Sequence, residues 1–225
     1  MNRRKHPQLR WRVPGIAVCL LMIAPLAGGC ATSRGEVNLR VLPTANPTSG
    51  APVKIAQVND RRAFQVNPRD PSIPSLMDDE INNTAITGRA IARKRGGFGK
   101  AFGDILLPEG QTVPMLVGEA LTRAFRESGY RVLQPGDSGY GEASAITADI
   151  GQFWAWFTPG FWAITLEFRA EVRIQGDIGP LQKGGSVQGS ARESGMAATS
   201  DAWKSVVDQG VEDLIRNLRA RLENR

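Results

Sequence analysis

The chain has two cysteines, Cys19 and Cys30, and one histidine, His6, all within its first thirty residues. Downstream of Cys30 there is no imidazole and no further thiol. A Ser–His–Asp triad, a Cys–His pair, a zinc site of the common kinds and a disulfide cannot be built there. Carboxylates and lysines remain as the ready acids, bases and nucleophiles. Asp78-Asp79-Glu80 could offer oxygens to a divalent cation, but it lacks the Asp-x-Asp-x-Asp-Gly spacing of a calcium loop and reads as a solvated turn. No two carboxylates stand out as a pair for glycoside cleavage. The basic, glycine-rich run Arg93-Lys94-Arg95-Gly96-Gly97-Phe98-Gly99-Lys100 invites a phosphate loop, yet Lys94 and Ala101 occupy positions where G-x-x-x-x-G-K-[ST] requires Gly and Ser/Thr. A dinucleotide fingerprint fails at Phe102, where its third glycine belongs. The expectation is a protein without cofactor, metal or catalysis.

Cys30 is thus the residue whose chemistry matters most. Five cations and no acid occupy the first twelve residues, and an apolar stretch follows from Val13 to Leu26. It ends in Ala27-Gly28-Gly29-Cys30. A basic start, a short apolar run and small residues at a cleavage point make a secretory signal. The run is short of the ~20 residues that a membrane span needs. The last four residues resemble the lipobox of bacterial lipoproteins, with Leu26 one place further from the cysteine than is commonest. That resemblance implies removal of residues 1–29, a diacylglycerol on the Cys30 thiol and an acylated N-terminus. Each buried methylene of such chains contributes about 0.8 kcal/mol, so two or three chains hold a protein firmly. Ala31, where an Asp would favour inner-membrane retention, implies the outer membrane.

Removal of the first 29 residues leaves 196 of 225, with 23 basic residues against 22 acidic ones. The high isoelectric point therefore belongs to the signal. A basic domain or stripe, the usual mark of a nucleic-acid partner, is missing, and none is expected.

The elements downstream fit one domain, 52–225, behind a lipidated N-terminus and flexible tether over 30–51. The tether is small and polar, although Val37, Leu39 and Val41 alternate with polar residues and could dock as a short strand. Residues 52–58 alternate as a strand and end at Asp60-Arg61-Arg62, an ion pair shaping a turn. Pro68, Pro71 and Pro74 mark 63–84 as an irregular excursion. A second strand over 84–92 breaks at the basic run and returns over 103–107. Thr112 caps a helix whose apolar face runs Val113, Leu116, Val117, Ala120, Leu121, Ala124, Phe125, with Gly129 at its end. A short strand at 130–133 precedes two long alternating strands, 145–157 and 161–175. A weaker strand over 185–193 leads to a final helix capped by Thr199 or Ser200. One apolar sheet face and two amphipathic helices predict an α+β two-layer sandwich, its sheet mostly antiparallel and both helices on one face.

Five aromatics crowd one turn, Trp154-Ala-Trp156-Phe157-Thr-Pro-Gly-Phe161-Trp162. They either fill the core or form a tip that meets lipid or a protein partner. An odd-length loop would place Trp154, Trp156, Trp162 and Ile164 on the helix-covered face; a two-residue turn would expose Trp154 and Trp156 beside Glu167. Burial favours the odd loop. Arg93, Lys94, Arg95 and Lys100 read as a solvated loop, or as a contact for anionic headgroups or lipopolysaccharide together with Trp154 and Trp156.

The lipobox, the Asp60-Arg61-Arg62 turn, the helix ending Glu127-Ser-Gly-Tyr130-Arg-Val132, the long hairpin and the C-terminal helix together resemble the YajG-type bacterial lipoproteins. The resemblance spans nearly the whole chain and implies an outer-membrane lipoprotein, facing the periplasm, with no assigned activity. The resulting expectation is a non-enzymatic binding or scaffolding protein held by membrane lipid, its partner an envelope protein or lipopolysaccharide. The alternative is a carrier of an apolar ligand or lipid between sheet and helices.

Overall fold

The computed structural model describes residues 34–95 and 101–223. The expected signal, Cys30 and the glycines and lysine of 96–100 lie outside them. The fold is α+β: a large, mostly antiparallel sheet with its two long helices on one face.

In chain order the elements are β1 (Gly35–Glu36), β2 (Pro52–Asp60), the single turn α1 (Thr84–Thr87), β3 (Ala90–Arg95), β4 (Ala101–Leu106) and α2 (Val113–Glu127). Then come β5 (Arg131–Val132), β6 (Ser144–Pro159), β7 (Ile164–Gly176), β8 (Gly185–Gly195) and α3 (Ser200–Glu223). β6 is the spine. One edge pairs along its whole length with β7, which pairs in turn with β8, both antiparallel. The other edge is shared: β2 runs parallel to its first half and β3 meets its second half at Ala92–Ala155. α2 and α3 cover one face, where Phe125, Phe153, Phe168, Trp203 and the helix leucines are buried. Thr112 Oγ1 accepts from the Met115 amide at the start of α2, and Gly129 at φ 83° lets the chain reverse after it. α3 lies close because Gly210 faces the sheet; a Cβ there would overlap the Phe168 ring.

Leu121 and Leu214 sit centrally on the buried faces of α2 and α3. Replacing either with alanine is expected to lower the unfolding free energy by about 2–5 kcal/mol, read from urea denaturation. A loss below about 1 kcal/mol for both would mean that these faces are not the core.

Three expectations are corrected. The first is the register of the aromatic hairpin. Ile146, Ala148 and Ile150 do face the helices, opposite Gly176, Ile174 and Val172. Between Ile150 and Gln152 the register shifts, and Gly151 is the extra residue. A bulge of one residue reverses the faces of everything beyond it. Phe153, Ala155 and Phe157 therefore turn towards the helices, while Trp154 and Trp156 turn away, opposite Arg169 and Glu167. The loop is four residues, Gly160–Ala163, not odd. Yet the two tryptophans are not exposed, because residues 64–86 fold over them. The excursion forms a small second core: Leu76, Ala90, Leu106, Trp154 and Trp156, with Phe64, Ile81 and Ile86 packed against it. With both sheet faces covered there, the bulge costs no burial. Alternation predicts the faces of β6 only where the strand is unbroken and its second face is open to water.

The second correction concerns the tether. Residues 34–51 are docked on the domain. Val37 and Leu39 are buried in the main core, the Leu39 carbonyl accepts from Gln111 at 2.6 Å, and Asn46 exchanges two bonds of 2.9 Å with the Val132 backbone. The alternation of Val37 and Leu39 was the signal for it. Likewise 84–92 is not one strand: Asn83 caps the single turn α1, and the strand begins at Ala90 and continues through Arg95.

Candidate functional site

Of the basic run singled out in the sequence, three residues are described. Arg93 and Arg95 are buried, and Lys94 is partly exposed. Arg93 Nε lies 3.5 Å from Asp104, whose other oxygen accepts from Arg34 at 3.0 Å. Arg34 also reaches Glu80 at 2.6 Å. Arg95 donates to the Pro68 carbonyl at 2.6 Å and to Ser75 Oγ. Burial pushes the Arg95 guanidinium below its usual pKa; nearby Arg93 adds to this and Asp104 opposes it. These arginines pin the excursion to β3 and β4. They are not a loop offered to headgroups, and that expectation is corrected for Arg93 and Arg95. Lys100 and Cys30 lie outside the described residues. Trp154 and Trp156, at 0% and 6% exposure, offer no surface to a partner either.

The Asp60-Arg61-Arg62 turn does form its ion pair. Arg62 Nη2 lies 2.6 Å from Asp60 Oδ2, and Nε donates to Oδ1 at 2.8 Å. Asp78 and Asp79 are exposed, and Glu80 is occupied by Arg34. Among the described residues no group of three or more His, Cys, Asp or Glu could hold a metal ion.

A cleft of about 950 Å³ opens between residues 38–44, α2, the middle of β2 and the loop after β5. Its walls mix Leu42, Met115, Leu133 and Tyr140 with Arg40, Arg123 and Arg126. Two of these arginines are tied into the fold. Arg126 donates to the Thr44 carbonyl, and hydrogen bonds to Glu212 and Glu127 raise the pKa of Arg123. Glu119 is the one carboxyl on its walls, so the cleft lacks the pair that acid–base hydrolysis needs. A smaller cavity of about 280 Å³ does carry two, Asp208 and Glu212, but Lys204 and Arg123 hold them in ion pairs. The space between sheet and helices is filled by Phe125, Phe153, Phe168 and Trp203, and these cavities lie outside it.

Large apolar side chains are also left in solvent: Leu42, Met77 and Met115 at separate places, and three at one end of the sheet, of which only the hairpin tip stood out in sequence. Phe161 and Trp162 are 89% and 82% exposed, and Met196 just after β8 is 87% exposed. The pairing of Ile164 with Gly195 brings Met196 to the same end of the sheet as the tip. Phe161 and Trp162 stack edge to face at 4.7 Å. Each lies in a stretch free of charge, Thr158–Leu166 and Ser194–Ser200, which was the available signal.

No family model matches the chain, and no curated protein matches it. One solved structure, described as "Crystal structure of uncharacterized protein", is similar over 85% of this chain and 99% of that one, with 9% identity and a TM-score of 0.44. A likeness that remote has no bearing on function.

Proposed function

We propose that the chain is a lipid-anchored lipoprotein of the bacterial envelope, held at the periplasmic face of the outer membrane through acylated Cys30. Its role is non-enzymatic: it binds or scaffolds an envelope protein or lipopolysaccharide, as the resemblance to YajG-type lipoproteins implies. The observation that carries this reading is the junction between the lipobox and the fold. Arg34, four residues after the cysteine in sequence, is already tied to the domain by Glu80 and Asp104. A lipid on Cys30 would therefore bind the domain directly against its membrane. No described helix is long and apolar enough to cross one.

Substituting Cys30→Ser is expected to move the protein from the membrane to the soluble fraction while its circular dichroism spectrum and urea midpoint stay unchanged. A variant that still sediments with membranes after a salt wash would show that lipid is not the anchor.

A further inference from the structure

We propose that the β6–β7 tip, Phe161 and Trp162, together with Met196, inserts into the headgroup boundary of the membrane that carries the lipid on Cys30. The inference rests on the anchoring of Cys30 and adds a second, non-covalent contact with the same bilayer.

Strand directions place these features together. β3 runs parallel to β6, β4 antiparallel to β3 and β1 parallel to β4. The chain thus enters β1 from the end of the sheet at which β6 turns into β7. β8 runs antiparallel to β7 and finishes at that end too. Levels can be counted across the ladder. Gly35 stands opposite Ile105, Ile105 opposite Ala92 and Ala92 opposite Ala155. Cys30 is five residues before Gly35, and Gly160 is five residues after Ala155. Five extended residues reach on the order of 17 Å. At full stretch, then, Cys30 rises only to about the level of Gly160. Phe161 and Trp162 stand at or beyond the residue whose acyl chains must enter the bilayer.

The chemistry of that end suits the boundary. Tryptophan is enriched at membrane–water interfaces, where an apolar ring with one N–H is at home. Exposed apolar side chains gathered at one place mark an interaction surface rather than scattered solvent contacts. No charged side chain occurs in either stretch, Thr158–Leu166 or Ser194–Ser200, so the tip itself carries no charge into the boundary.

Trp162 supplies its own reporter. Trp154 and Trp203 are fully buried and Trp156 nearly so, while Trp11 belongs to the signal. The mature acylated protein would be reconstituted into phosphatidylethanolamine–phosphatidylglycerol vesicles containing lipid spin-labelled near the headgroup. Flotation and tryptophan emission are read on the same sample. The expected result is co-flotation with quenching several-fold greater than in W162F, whose exposed position should not disturb folding. Co-flotation with equal quenching in the two proteins would overturn the tip insertion and leave the anchor standing. Failure of the acylated protein to float would overturn the anchor and this inference with it.

Discussion

Trp154→Ala is expected to lower the unfolding free energy by about 3–5 kcal/mol, the range for a fully buried aromatic replaced by a methyl group. The indole lies between the sheet and the excursion, its ring edge-on to Phe64 with centroids 5.9 Å apart. Its Nε1–H donates to the Pro71 carbonyl at 3.3 Å. Truncation removes the centre of the second core, where Leu76, Ala90 and Leu106 meet it, and leaves a cavity that the packed strands beneath it cannot easily close. The loss should be local first: limited proteolysis is expected to cut within residues 63–83 at denaturant concentrations where the α2–α3 core survives. A loss below about 1 kcal/mol, with the excursion still protected, would mean that the second core does not hold this segment.

Arg62→Ala is expected to cost about as much, roughly 3–5 kcal/mol, for a different reason. The guanidinium is fully buried and makes bonds in three directions. Nη1 donates to the carbonyls of Ala90 at 2.6 Å and Phe153 at 3.1 Å, and Nη2 donates to that of Thr87 at 2.7 Å. Asp60 takes both Nε and Nη2. Deleting the side chain leaves those carbonyls short of a donor and one carboxylate without its charge partner. Lysine keeps the charge but not the planar fork, so Arg62→Lys should recover only part of the loss. The neighbouring Arg61 is the control. It is exposed and 3.6 Å from Asp149, and its removal should cost under about 1 kcal/mol. Equal effects at the two positions, from urea denaturation, would contradict the assignment of Arg62 as the tie between β2, β3 and β6.

That pair shows where sequence reading stops. Arg61 and Arg62 are alike in type and neighbourhood, and only the end of β2 decides which one turns inward. Periodicity was informative where one face is buried and the other wet. Leu166 to Ile174 on β7 and the stripes of α2 and α3 fall where spacing put them. It misled where both faces are buried. On β6 the two registers beyond Gly151 are almost equally apolar, so alternation does not choose between Phe153-Ala155-Phe157 and Trp154-Trp156. The choice is made by a bulge and by an excursion of more than twenty residues that has almost no regular pattern of its own. The buried arginines have the same origin. A run of three cations reads as solvated until the segment carrying Pro68 and Ser75 folds back to meet it. Of the proposed site, Cys30 rests on its surroundings in sequence and lies outside the described residues. Phe161 and Trp162 were legible as aromatics near a turn but not as the exposed members of that group.

The intact mass of the protein extracted from its membranes tests the central claim most directly. The account predicts a 196-residue chain beginning at Cys30, heavier than its sequence by a diacylglyceryl group with or without an amide-linked acyl chain, the added mass confined to the N-terminal peptide. A chain retaining residues 1–29, or one cleaved near this point with an unmodified cysteine, would contradict it.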